Sequence, residues 1–311
     1  MMYNAHDVKH FKFDFLQVLI YYFHIFSCSW PQDPSGLKVF ILADPHLLGP
    51  FRGHWLDKLR RYSPLHTYLA SSEDIMSEGA VCLATGRNSD RQKGNEEWWC
   101  SGDLFDEGQW CDLELLEAYT ARFYKIFSVP DTTELWVVPG NHDIGFHYKI
   151  TSDRESYFRR TFHVDPVSHI SRRGVHFVLL NSMAFHGDDC SLCQEAKDSL
   201  ATTARTLNNS SQSRPIVLQH FPLYRTSDQH CDQADKDPQP LRFKERWDCL
   251  SQLASNTILH LLRPRAVFSG HTHYGCLTTH PGNIPEWTVA SFSWRNILLP
   301  GFLMTTDNWD C

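Results

Sequence analysis

The chain has 311 residues, enough for one large α/β domain with a short extension. A hydrophobic content of 42% and a charged content of 21% are those of a globular protein rather than a disordered one. The net charge of −7 offers no basic surface, which excludes nucleic acid as an expected partner.

In chain order, Phe15 to Trp30 is the first apolar run, with Gln17 and His24 inside it and Asp14 before it. It is shorter than the about 20 apolar residues of a spanning helix. Lys9 and Lys12 precede it, and this favours a signal-anchor that leaves the N-terminus in the cytosol and the domain in the lumen. A cleaved signal peptide and a buried or interfacial helix are the alternatives. Residues 1–30 are therefore read as a tail with a short hydrophobic helix, and 31–311 as the folded domain, entered through the linker Pro31 to Gly36.

Lys38 to Ala43 reads as a buried strand ending at Asp44. Gly53 to Arg61 reads as a helix with a basic end. Residues 71–99 break the pattern: polar runs surround Gly86 and Gly94, and Glu96-Glu97 stand directly before Trp98-Trp99-Cys100. A central strand covered on both faces should be apolar, and two glutamates there conflict with that. The expectation is an atypical insert, or an altered segment that has lost a core strand, which loops out with no buried central strand running into Gly102. Asp103 would then be held on one side only, a disruption that would weaken metal binding or inactivate the site.

Leu113 to Phe127 has helical spacing, with Leu115, Leu116, Tyr119, Phe123 and Phe127 as a core stripe. Leu135 to Val138, Val175 to Leu180, Ile216 to Gln219 and Ala266 to Ser269 read as strands, and Leu250 to Leu262 as a helix. Alternating strands and helices predict an α/β domain with ligands at the carboxyl ends of the strands.

Five motifs follow these apolar runs: Asp44-Pro45-His46, Gly102-Asp103, Gly140-Asn141-His142-Asp143, His220 and Gly270-His271-Thr272-His273. Carboxylates, an amide oxygen and several imidazoles form a ligand set for two neighbouring divalent metals rather than for one zinc. One carboxylate must lie between the two ions, and Asp103 is the candidate. Hydrolysis of a phosphodiester near neutral pH is the chemistry such a pair serves.

The order of these motifs resembles the calcineurin-like metallophosphoesterase superfamily. The flanking segments Leu42 to Gly49, Gly53 to Arg61, Gly102 to Gly108, Gly140 to Tyr148 and Ser291 to Asn296 are similar to one branch of it, the enzymes that remove a phosphoethanolamine from the GPI-anchor glycan. The resemblance implies two packed mixed sheets flanked by helices. It also implies that Asp44, His46, Asp103 and His273 hold a first metal, and that Asp103, Asn141, His220 and His271 hold a second. Manganese is the implied ion, with zinc or iron fitting the same ligands. His142 would protonate the leaving group, and Asp143 would orient its imidazole. His147, Tyr148, Arg225 and Arg295 are candidates for contact with a charged glycan phosphate, and Asp106 and Glu107 for support or helix starts.

The same resemblance implies a lumenal enzyme of the early secretory pathway: ER exit sites, the ER–Golgi intermediate compartment and the Golgi. It would be held to the membrane by the N-terminal helix, would act on the glycan of GPI-anchored proteins, and would have cargo-sorting partners within reach. A C-terminus cut short before a second anchor is expected on that basis. The alternatives are another metallophosphoesterase, such as a monoester phosphatase or nucleotide hydrolase, and an inactive variant. Cys190, Cys193, Cys231 and Cys276 are candidates for disulfides in a lumenal domain, with no pairing implied. Asn208-Asn209-Ser210 and Asn209-Ser210-Ser211 are glycan acceptor tripeptides.

Overall fold

A computed structural model describes residues 36–49, 51, 96–129, 133–185, 190–210, 214–234, 241–293, 295–297 and 300–306. The expected N-terminal helix, the helix at Gly53 to Arg61 and most of the 71–99 segment lie outside them. Among the described residues no helix is long and apolar enough to cross a membrane.

The strands are β1 (Lys38–Ala43), β2 (Glu96–Ser101), β3 (Glu134–Val138), β4 (Val167–Arg172), β5 (Val175–Leu180), β6 (Ile216–Gln219), β7 (Gln233–Ala234), β8 (Ala266–Ser269), β9 (Cys276–His280), β10 (Ile284–Thr288) and β11 (Leu303–Thr306). The helices are α1 (Leu113–Ile126), α2 (Asn141–Ile144), α3 (Ser152–Phe162), α4 (Ser191–Ser210) and α5 (Gln252–Leu262). They build two mixed sheets, ordered β11-β1-β2-β3 and β4-β5-β6-β8-β10-β9-β7. Strands β1, β2 and β3 run parallel, as do β5, β6, β8 and β10, so ligand-bearing loops leave each sheet at a common end.

Alternation along β1 decides the layering. Val39, Ile41 and Ala43 enter a core shared with Phe177 and Leu179 of β5, Ile216 and Leu218 of β6, and Ala266 and Phe268 of β8, so the two sheets pack face to face. Phe40 and Leu42 point the other way, into a cluster with Leu116 and Phe123 of α1. The same cluster takes Val178, Leu180, Val217 and Val267 from the outer face of the second sheet. It covers them with Ala196 and Leu200 of α4 and Ile258 and Leu262 of α5. Asp112 caps α1 by accepting from the Leu115 amide at 2.9 Å.

The expected absence of a central strand before Gly102 is corrected here. Strand β2 lies between β1 and β3, with Trp99 opposite Ile41 on one side and Trp136 on the other. Trp98 and Trp99 are fully buried on opposite faces, Trp98 on Phe40 with ring centroids 4.7 Å apart and Trp99 on Phe177 at 4.6 Å. Burying Glu97 between the sheets would be costly if it stood alone. It does not stand alone. Trp136 Nε1 donates to Glu97 Oε2 at 2.8 Å, and Arg172 of β4 reaches Oε1 at 3.3 Å from the other sheet. Burial still pushes the Glu97 carboxyl up, against the Trp136 and Arg172 contacts. The inactive alternative loses the damaged strand on which it rested.

Four cysteines form two disulfides, Cys190–Cys193 and Cys231–Cys276, the second tying the segment before β7 to β9. Asn208 and Asn209 are exposed at the C-terminal end of α4, a helix that the sequence reading passed over.

Candidate metal centre

Each predicted ligand sits just past a strand end: Asp44 and His46 after β1, Asp103 after β2, Asn141 after β3, His220 after β6, and His271 and His273 after β8. The β1–β2 ladder continues beyond the strands through Asp44 N to Gly102 O at 3.2 Å and His46 N to Asp103 O at 2.9 Å. Gly270 N donates to His220 O at 2.9 Å, joining the two imidazole-bearing loops. These turns are tight enough to strain the chain. Asp44, His46, Asp103, His271 and His273 all have φ between 46° and 73°, the left-handed region that costs L-residues about 1–2 kcal/mol each. Gly102 precedes Asp103 at φ 75°, and a Cβ there would strike the His220 ring.

The seven side chains converge on a buried point. Asp103 divides its labour by atom: Oδ1 accepts from the His142 amide at 2.8 Å, while Oδ2 lies 3.5 Å from His46 Nε2 and 3.3 Å from His220 Nε2. On one side of Oδ2, His46 Nε2 and His273 Nε2 face each other at 3.1 Å. Asp44, His46, Asp103 and His273 present donor atoms within 4.8 Å of one another. On the other side, His220 Nε2 stands 3.1 Å from Asn141 Oδ1 and 3.2 Å from His271 Nδ1. Asp103, His220 and His271 form another such group, and His46, Asp106 and His142 a further one beside the first. One carboxylate oxygen therefore belongs to both donor sets.

Burial pushes the Asp44 carboxyl well up, with His220 opposing and Asp103 adding to it. Burial works against the Asp103 carboxylate too, but His220, His142 and His46 outweigh it and hold the group well below the carboxylate range. Burial also opposes protonation of His220, yet Asp103 and Asp44 raise it to about 9. Burial and His220 push His271 well down, burial and His46 push His273 down to about 3, and burial lowers His46. His271, His273 and His46 are thus neutral imidazoles with lone pairs free for the centre, whereas His220 gives up its proton when a cation takes its place beside Asp103. Asp44 Oδ1 is buried with no hydrogen-bond partner, a costly state that a bound cation removes. The donor set of carboxylate, amide oxygen and imidazole fits divalent ions of the Mn, Fe or Zn kind.

The supporting contacts differ from expectation at Asp143. Its oxygens accept from Gly140 N at 2.8 Å and Phe105 N at 2.9 Å, so it ties the Asp103 and Asn141 loops together instead of holding the His142 ring. Burial and then Asp103 raise its carboxyl to about 7. The His142 ring is held by a main-chain atom: Nδ1 lies 2.8 Å from Asp106 O, which fixes Nδ1–H and leaves Nε2 for proton transfer. Asp106 is a support, not a helix-start acid. Its Oδ1 faces His46 Nδ1 at 3.3 Å and pairs with Arg295. Burial opposes ionisation of Asp106, but His46 and Arg295 lower it to about 2. Arg225 is 8% exposed and pairs with Asp228 at 2.8 Å, so it is a core ion pair and not a surface phosphate contact. Tyr148 is exposed, stacked near Phe146. Sequence reasoning missed two further supports, Ser101 O on His220 Nδ1 at 3.0 Å and Trp247 O on His271 Nε2 at 2.7 Å. Both are main-chain carbonyls, which no residue type announces.

Comparison with known proteins accords with this geometry. The family model described as calcineurin-like phosphoesterase matches residues 37–275, more than half of the chain. The chain is similar to Metallophosphoesterase 1 of Xenopus laevis, 41% identical over 94% of this chain and 76% of that protein. It is 38% identical to Metallophosphoesterase 1 of Danio rerio over 94% of this chain and 79% of that one. A crystal structure of a dimetal phosphatase from Danio rerio shares the fold, with a TM-score of 0.51 at 13% identity over 88% of this chain and 93% of that one. The chain belongs to the calcineurin-like phosphoesterase family, and it is a metal-dependent hydrolase of phosphoric esters.

Proposed function

We propose that the chain is a phosphodiesterase that removes a phosphoethanolamine substituent from the mannose glycan of GPI anchors in the lumen of the early secretory pathway. The reaction class is carried by one observation, the shared Asp103 Oδ2 between two donor sets. When bound, two divalent ions neutralise charge on the phosphate and make water a competent nucleophile at neutral pH. Manganese is the proposed ion. The chain's own groups do the rest. Asp103, Asp44, His46 and His273 hold one ion, and Asp103, Asn141, His220 and His271 hold the other. His142 delivers a proton to the leaving oxygen from Nε2, its ring fixed by the Asp106 carbonyl.

The substrate reading is supported by the segments around the ligands, Gly102 to Gly108 and Gly140 to Tyr148 above all, and by the similarity to Metallophosphoesterase 1 proteins. Two disulfides fit an oxidising lumen. Membrane attachment through Phe15 to Trp30 and contact with cargo-sorting machinery belong to the same proposal. Purified protein with Mn²⁺ should release phosphoethanolamine from a GPI glycan, read as the mass lost from the glycan. Hydrolysis of simple monoesters or nucleotides with the glycan left untouched would replace this substrate with another.

A further inference from the structure

Under the loops of the second donor set lies a fully buried carboxylate that the reaction does not use. Glu286 sits in β10, between Val267 of β8 and Thr278 of β9 in the sheet. Its Oε1 accepts from Leu223 N at 2.9 Å and from Ser269 Oγ at 2.9 Å. Leu223 is three residues past His220, and Ser269 is two before His271. A single oxygen thus pins both loops that carry the imidazoles of the second set. Its other oxygen is held in turn: Oε2 lies 2.7 Å from His280 Nε2 and 3.6 Å from Arg225 Nη1. Burial opposes ionisation of Glu286, but His280 and Arg225 keep its carboxyl below the usual range. The first donor set is supported differently: Asp106 stands behind His46 and pairs with Arg295. Asp44 and His46 are fixed by the β1–β2 ladder, and Ser291 Oγ donates to Asp44 O at 2.8 Å.

We propose that Glu286 is a positioning residue for the second metal site, clamping the His220 and His271 loops in register. The inference rests on the two-ion reading above. Polar groups behind metal ligands typically cost about 10–100-fold in metal affinity when removed. Mn²⁺ binding by titration, with metal per chain counted at defined free Mn²⁺, reads this directly. Glu286→Ala should weaken one of the two ions about 10–100-fold and the other less, since of the first set only His273 lies in a loop that Glu286 holds. In a His273→Ala background, which disables the first set, Glu286→Ala should weaken the remaining ion. In a His271→Ala background its effect on the remaining ion should be smaller. Glu286→Gln keeps an acceptor for Leu223 N and should fall between wild type and Ala. It also serves if the Ala variant does not fold. Wild-type affinity for both ions in either variant, or equal weakening of both, would overturn the proposal. A wild-type chain that binds fewer than two Mn²⁺ would overturn the two-ion reading and this inference with it.

Discussion

The two sheets contribute to the centre in different ways. The first supplies Asp44, His46, Asp103 and Asn141, the oxygen-rich part, and the second supplies only imidazoles, His220, His271 and His273. Neither sheet holds a complete donor set, so the centre exists only at the seam between them. Their supports differ as well. His46 is oriented by a side chain, Asp106, backed by Arg295. His220 and His271 are oriented by main-chain carbonyls of Ser101 and Trp247. The first arrangement can be dismantled by one substitution. The second yields only to movement of the backbone.

The largest effect should come where the two halves meet. Asp103→Ala removes the oxygen common to both sets, and should cost more than the about 10–100-fold typical of an outer support. Metal per chain should fall for both ions. Loss of one ion alone would show that Asp103 serves a single site. His142→Asn should lower turnover about 10²–10⁴-fold at full metal content, as expected for a proton donor. If metal left with activity, His142 would be a ligand.

The contrast in supports is sharpened by a pair of variants. Asp106→Ala should weaken binding of one ion about 10–100-fold, whereas Trp247→Ala keeps its carbonyl and should shift affinity by no more than a few fold. Equal losses would erase the distinction between side-chain and main-chain support.

The seam itself can be probed away from the metals. Arg172→Leu leaves Glu97 buried without its ion pair and should cost about 1–3 kcal/mol by denaturant unfolding. Adding Glu97→Leu should recover part of that, since apolar replacement of a buried pair is often neutral. The smallest effect concerns pH. Burial raises the Glu97 carboxyl, so the folded state holds its proton more tightly than the unfolded chain. Its ionisation therefore lowers stability as pH rises past the ordinary range for glutamate. Glu97→Gln should gain on wild type between acidic and neutral pH. A gain that shrinks with rising pH would contradict that sign.

By itself the sequence picked out the donor residues that the fold brings together. Asp44, His46, Asn141, His220, His271 and His273 follow strands legible as continuous apolar runs, whereas Asp103 was marked by its Gly102-Asp103 motif and not by the strand before it. Strands β1, β5, β6 and β8 and helix α1 were visible for the same reason. Strands β9 and β10 were not, because Thr, Pro and Glu dominate them, and β2 was misjudged because Glu97 looked unpartnered. Only tertiary structure could provide Trp136 and Arg172 for that glutamate, since they lie on another strand and another sheet. It alone moved Asp143 from the His142 ring to the Gly140 and Phe105 amides. It alone gave the tautomers of His142, His220 and His271 to main-chain carbonyls. Hydrogen-bond partners distant in sequence, and carbonyls common to every residue, leave no mark on local pattern. They are fixed when the two sheets meet.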